Sequence, residues 1–218
     1  MSIDRQTMEV DIACVGFGPA MGGFLTVLSR ALVDENGQTL LESGVMPGMP
    51  LQVVCYERTD DISFGVSGVV TRARSIRATF PDLDPAQIPL ASPVSQEKVL
   101  YLLDPVGASR RSFGTRALDR LVGAVSSRDH ACELPYIPPF LHKKDGLVLS
   151  IGQFTQWVGS QLMASGLVQV WPAMPVSAPL IEENRVVGIR LVDQGTNKDG
   201  SPATGYMPGM DIRAALTV

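Results

Sequence analysis

The run Gly16-Phe17-Gly18-Pro19-Ala20-Met21 could grip a phosphate with its backbone alone. Two glycines one residue apart let the chain turn tightly and bring peptide N–H groups against a ligand with no Cβ in the way. Pro19 has its φ preset for a first helical turn and lacks an N–H that would go unpaired there. A helix opening on bare glycines offers free amides and a positive dipole end, which suits a pyrophosphate. Downstream, Glu57 ends an apolar run, where a carboxylate can accept hydrogen bonds from ribose hydroxyls. The gap from Gly18 to Glu57 is about twice the usual spacing of roughly twenty residues. These residues point to a dinucleotide site, and the glycine- and serine-rich loop Ile62-Ser63-Phe64-Gly65-Val66-Ser67-Gly68 could also pass close to a ligand.

Other chemistries have less support. Cys14, Cys55 and Cys132 lack any metal or disulfide spacing, and His130 and His142 are the only histidines, so no metal site is expected. Cys14 and Cys55 lie in strand-like apolar runs and read as small buried hydrophobes. No Gly-x-Ser-x-Gly elbow is present. His142 is the one titratable group with a motif around it, and no catalytic acid, base or nucleophile can be named. A net charge of −4 argues against a nucleic-acid surface, and 45% hydrophobic with 18% charged residues is ordinary for a soluble α/β protein. Met1 to Glu9 is too polar for a secretory signal. Ile12 to Ser29 carries no charge, but glycines and Pro19 fall where a membrane helix would have to run unbroken. A soluble, cytoplasmic chain is expected.

The elements that must position the glycines follow from periodicity. Ile12 to Val15 is short and apolar, as a covered parallel strand requires. Ala20, Phe24, Val27, Leu28, Ala31 and Leu32 recur at helical spacing and predict one apolar stripe laid on a sheet. Asp34 to Pro50 reads as a surface insertion. Leu51 to Glu57 is expected to be a second strand. Thr71 to Phe80 predicts a short helix, 82–93 extended chain, and Val99 to Leu103 a strand. Arg116 to Val125 predicts a helix with Ala117, Leu118, Leu121 and Val122 as its apolar positions. Leu147 to Ile151 predicts a strand, Gln153 to Ser165 a helix ended by Gly166, and Leu167 to Trp171 another strand. Val176 to Ile181 and Arg185 to Asp193 pair as a hairpin around Glu182-Glu183-Asn184. Thr196 to Pro208 reads as polar loop and Met210 to Val218 as a last strand.

This order resembles that of glutathione-reductase-like FAD proteins: an α/β fold whose Rossmann-type domain has a parallel sheet, with β-rich insertions and part of a second domain. The resemblance narrows to one family. Gly16-Phe17-Gly18-Pro19-Ala20, Tyr56-Glu57-Arg58, Gly65-Val66-Ser67-Gly68, Pro138-Pro139-Phe140-Leu141-His142 and Ile151-Gly152-Gln153-Phe154-Thr155-Gln156-Trp157-Val158-Gly159 look like successive landmarks of electron-transfer-flavoprotein:quinone oxidoreductases. Asn197-Lys198-Asp199-Gly200-Ser201-Pro202 and Pro208-Gly209-Met210-Asp211-Ile212 are similar to a further family signature. The resemblance implies non-covalent FAD, with Gly16, Gly18 and Ala20 at the pyrophosphate, between Phe17, Pro19 and Met21 of the same turn. It places Glu57 at the adenosine ribose, Arg58 near the adenine end, Ser67 and Gly68 nearer the flavin, and Val176 and Ser177 along the adenine. It also implies electrons passed from a reduced electron-transfer flavoprotein or similar redox protein to a quinone, and a peripheral place at the inner membrane through parts outside this chain.

Three features depart from the family pattern. The third glycine of the fingerprint falls on Met21, with Gly22 and Gly23 after it, so a shifted helix or a role for Gly22 is expected. Ser150 stands where the family usually has arginine. The chain ends in the strand that normally leads to a second glycine-rich turn, and three cysteines cannot supply the usual four thiolates of an iron–sulfur cluster. The sequence therefore reads as an N-terminal portion, with 1–80 opening the FAD domain, 81–150 inserted on the substrate side, and 151–218 resuming it. On its own such a portion is expected to bind FAD poorly. Two other readings stay open: a geranylgeranyl-reductase-like or hydroxylase-like flavoenzyme, and a non-catalytic Rossmann-like scaffold subunit.

Overall fold

The apolar run ahead of the glycines is β1 (Thr7–Val15), a central strand of a six-stranded sheet. The computed structural model describes residues 4–62, 68–81, 83–103, 111–125 and 131–218. After β1 come α1 (Pro19–Ala31), β2 (Val53–Tyr56), β3 (Val69–Thr71), α2 (Arg74–Thr79), a 3-10 turn (Pro85–Gln87), β4 (Ser92–Pro93) and β5 (Leu100–Leu102). The chain continues through α3 (Phe113–Val125), β6 (Ala131–Glu133), β7 (Leu147–Leu149), α4 (Ile151–Ala164), β8 (Val168–Trp171), β9 (Val176–Glu182), β10 (Arg185–Leu191), β11 (Gln194–Thr196), β12 (Pro202–Met207) and β13 (Asp211–Thr217).

The sheet runs β8-β2-β1-β13-β10-β9, with the first four strands parallel and the last two antiparallel. β1 and β2 are buried runs, as strands covered on both faces must be. Val10, Ala13, Val54, Tyr56, Ile189, Leu191 and Ile212 form one buried cluster that joins the parallel strands to the β9–β10 hairpin. Glu183 and Asn184, both at positive φ, make the tight turn of that hairpin. Two compact units result: residues 1–69, 74–91 and 149–218 in the first, and residues 70–73 and 92–148 in the second. Residues 74–91 stay with the first unit, where Ile88 is buried and Phe80 packs edge-on against Trp157.

Helix α1 departs from its expected face. Phe24 and Val27 are exposed, while Gly22, Leu25, Thr26 and Ser29 are buried. Small residues win this face because α4 approaches closely: a Cβ on Gly22 would lie 3.1 Å from Val158 Cγ1. The buried hydroxyls are satisfied within the helix, Thr26 Oγ1 donating to Gly22 O and Ser29 Oγ to Thr26 O. Helix α4 buries Phe154, Val158 and Leu162 as its spacing predicts. Ser150, standing where the family usually has arginine, is its N-cap and accepts from the Gln153 amide at 3.4 Å. The stretch 196–208, expected to be loop, is instead largely a hairpin of β11 and β12.

In the second unit, β5 pairs with β6, while β3, β7 and β4 form a three-stranded sheet. Helix α3 leaves Leu118 and Leu121 exposed and turns Asp119 inward, where it accepts from Tyr101 Oη at 2.8 Å and Arg111 Nη1 at 2.5 Å. His142, also here, pairs through Nδ1 with Glu97 at 3.0 Å, and Arg72 donates to the carbonyls of Pro139 and His142.

Candidate functional site

At the carboxyl ends of β1 and β2 the chain makes the turn its glycines predict. Gly16 adopts φ +81°, and its amide donates to Tyr56 O at 2.8 Å, which ties the turn to the end of β2. A Cβ on Gly16 or Gly18 would meet no protein atom within 4 Å, so the space beside the turn is open. Gly18 is the N-cap of α1 in extended conformation, Pro19 follows it, and no side chain caps the first turn. The Ala20 and Met21 amides therefore open a 13-residue helix with its positive end facing outward.

The acid meets the turn directly. The Phe17 amide donates to Glu57 Oε2 at 2.5 Å, and Glu57 Oε1 accepts from the Thr59 amide at 3.0 Å and the Thr59 hydroxyl at 2.9 Å. Burial alone would raise the Glu57 carboxyl, but the Phe17 and Thr59 donors, helped by the Arg58 amide, hold it below the usual range. It is an anion with preset donors around it. The segment is fixed from behind as well, since the Glu57 amide donates to Trp171 O and Glu57 O accepts from the Met174 amide.

Val15, Gly16, Phe17, Gly18, Ala20, Met21, Glu57, Thr59 and Ile62 line one cavity of about 450 Å³. Pro19 is exposed at the head of the helix, and Arg58 is exposed beyond Glu57, neither lining the cavity. Gly68 lies exposed ahead of β3, and Ser67 falls outside the described residues. Val176 and Ser177 are not on the cavity wall: Val176 packs against the buried cluster and Ser177 Oγ bonds the carbonyls of Arg190 and Leu191. Phe17 is a wedge as well as a backbone donor, its ring lying beside both Gly22 of α1 and Gly159 of α4. Met21 faces the cavity rather than a neighbouring strand, and the close-approach role passes to Gly22, directed at α4. Thr59 joins the site without a sequence signal stronger than its nearness to Glu57, and Ile62, at the head of the glycine- and serine-rich loop, lines it too. Among the described residues, no group of three or more His, Cys, Asp or Glu could hold a metal ion.

Free amides at a helix head, an open glycine turn and a preset carboxylate one strand away fit the phosphate and ribose of a dinucleotide. No family model matches the chain. Curated relatives do: it is 27% identical over 221 residues to the electron transfer flavoprotein-ubiquinone oxidoreductase of Pseudomonas aeruginosa, covering 99% of this chain and 34% of that protein. A probable enzyme of the same name from Acinetobacter baylyi is 27% identical, over 100% of this chain and 33% of its own length. The mitochondrial one of Dictyostelium discoideum is 26% identical, over 98% and 29%. The chain spans about a third of the length of these relatives, whose name is that of the family its motifs resemble. Among solved structures, a geranylgeranyl bacteriochlorophyll reductase-like protein from Thermoplasma acidophilum matches 97% of this chain and 38% of its own, with TM-score 0.50 and 12% identity. PqsL of Pseudomonas aeruginosa, a probable FAD-dependent monooxygenase, matches 96% of this chain and 41% of its own, with TM-score 0.51 and 11% identity. The fold is the Rossmann-type fold of such proteins, its sheet made of four parallel strands extended by the antiparallel β9–β10 hairpin.

Proposed function

We propose that the Gly16–Met21 turn and Glu57 bind the adenosine diphosphate end of FAD. The chain is, on this reading, the nucleotide-binding part of an oxidoreductase that passes electrons from a reduced electron-transfer flavoprotein to a membrane quinone. The observation that carries it is the hydrogen bond from the Phe17 amide to Glu57 Oε2, which locks the phosphate turn and the ribose acceptor into one unit. The Ala20 and Met21 amides, backed by the α1 dipole, take the pyrophosphate, and the Glu57 carboxylate takes a ribose hydroxyl. Gly16 and Gly18 keep the approach free of side chains. FAD, when bound, would supply the electron uptake and release at its flavin ring. The whole-chain resemblance to relatives of one name supports the donor and acceptor assignment. Quinones partition into bilayers, so a peripheral place at a membrane is part of the proposal; among the described residues no helix is long and apolar enough to cross one.

Equilibrium titration of the 218-residue chain with FAD, followed by flavin fluorescence, tests the reading. Saturable but weak quenching is expected, since these residues hold only the adenosine diphosphate end of FAD, and Glu57→Ala should weaken it further, about tenfold or more, through loss of a charged acceptor. Equal affinity in the two proteins, or no binding by either, would overturn it.

A further inference from the structure

Glu57 has two oxygens in different situations. Oε1 takes both of its hydrogen bonds from one residue, the Thr59 amide at 3.0 Å and the Thr59 hydroxyl at 2.9 Å, whereas among the described residues Oε2 has one donor at hydrogen-bond distance, the Phe17 amide, with the Arg58 amide adding only a weaker pull on the carboxylate. A carboxylate oxygen carries two lone pairs, so Oε1 is filled and Oε2 keeps one open. The Thr59 hydroxyl also lies 2.8 Å from Asp61 O, but its single proton is drawn to the charged acceptor. Thr59 shares the cavity wall with Glu57, and its own carbonyl is held by the Ala173 amide, so its backbone is not free to drift.

We propose that Thr59 is the positioning residue of the dinucleotide site: it pins Oε1 and so leaves Oε2 as the single oxygen that receives a ribose hydroxyl. This rests on the FAD reading above and adds to it a residue and a stoichiometry, one hydroxyl accepted rather than two. The arrangement fixes the carboxylate plane before the ligand arrives, so the ordering cost of the acid side chain is met in the free protein. It also keeps the acid ionised, because every donor to a carboxylate favours its charged form.

The experiment is FAD titration by fluorescence quenching between pH 4 and 8 on wild type, Thr59→Val, Thr59→Ser and Glu57→Gln. Valine keeps the shape and the amide but removes the hydroxyl; serine restores it. Thr59→Val should weaken FAD binding about fivefold at pH 7, and Thr59→Ser should lie within about twofold of wild type. The acid limb of the affinity profile should also begin at higher pH in Thr59→Val, since its Glu57 loses a donor that favours ionisation, and return in Thr59→Ser. A merely structural role for Thr59 would not move that limb. If Glu57→Gln weakens binding while Thr59→Val matches wild type in both affinity and acid limb, the positioning role is overturned and the FAD site stands. If wild type binds no FAD, or Glu57→Gln binds as well as wild type, the site reading itself falls and takes this inference with it.

Discussion

Cys14 and Cys55 face one another in register across β1 and β2, both without exposed surface. Burial pushes the Cys14 thiol up to about 11, and burial with Cys14 and Glu57 close by pushes Cys55 higher still. A thiol attacks as its thiolate, so neither can react while the sheet is intact. Cys132 is only half-buried. A thiol reagent applied at pH 8 should therefore label a single cysteine, Cys132, within the time in which denatured protein shows all three; a second fast thiol would mean that the β1–β2 core opens readily. The buried character of Cys14 and Cys55 is legible in the sequence, because each sits inside an apolar run. Glu57 is legible for a related reason: it ends such a run downstream of two glycines. Thr59 is not, since a threonine two residues beyond an acid has no periodic partner to single it out, and its role exists only once the Glu57 side chain folds back onto it. Val176 and Ser177, expected along the adenine, pack and bond within the β9–β10 hairpin.

At the scale of elements, Asp11 explains how the 34–50 insertion is carried. It lies inside the buried strand β1, only 6% exposed, where an isolated carboxylate would be costly. Its Oδ1 accepts from the Gly44 amide at 2.8 Å and its Oδ2 from the Gln52 amide at 2.7 Å, so both ends of the returning chain hang on one side chain. Burial acts to raise its pKa, but these amides with Ser43 and Val45 hold it below the ordinary range. Asp34 organises the outer turn in the same way, accepting from the Asn36 and Gln38 amides. Asp11→Ala takes the acceptor from these two part-buried amides and should cost about 1–3 kcal/mol, read as a lowered urea midpoint. Asp11→Asn keeps an acceptor and should cost less; an unchanged midpoint in Asp11→Ala would show that the insertion is held by other means. Periodicity places the long helices and strands here because their burial is set by spacing. It misses the face of α1, where Gly22, Thr26 and Ser29 pack against α4 by smallness rather than hydrophobicity. It also misses the β11–β12 hairpin, whose strands are largely exposed and carry no apolar alternation. There the turn is set locally by Asn197 and Asp199, bonded to Ser201.

Across the whole first unit, ion pairs close the chain on itself over long sequence separations. Asp193 is their hub: it pairs with Arg5 near the amino end and accepts from Tyr206 Oη and the Gly209 amide, both at 2.8 Å. Arg190 pairs with Asp211 at 2.6 Å and Arg213 with Glu182 at 2.7 Å, so β9, β10 and β13 are cross-linked by charge at their solvent edges. The Arg5 guanidinium, with the Gly209 amide and the Tyr206 hydroxyl, holds Asp193 far below the usual carboxylate range. Arg190 lowers Asp211, and Arg213 lowers Glu182. A carboxyl whose folded pKa is depressed binds a proton more readily in the unfolded chain, so its contribution is complete above the unfolded value and fades as pH falls toward the folded one. Stability should accordingly be flat above about pH 5 and decline steadily below about pH 4. Asp193→Asn removes the most strongly depressed of these groups, and asparagine has no proton to gain over that range. Its midpoint at pH 7 should lie below that of wild type, while its further loss between pH 4 and 3 should be smaller, so the two profiles converge in acid. High salt should leave this convergence largely in place, because bidentate, partly buried pairs are screened less than exposed ones. Thermal melts at pH 7, 4 and 3 decide the matter: parallel profiles for wild type and Asp193→Asn would mean that Asp193 titrates as an ordinary surface acid and that the hub does not hold the amino end to β12 and β13.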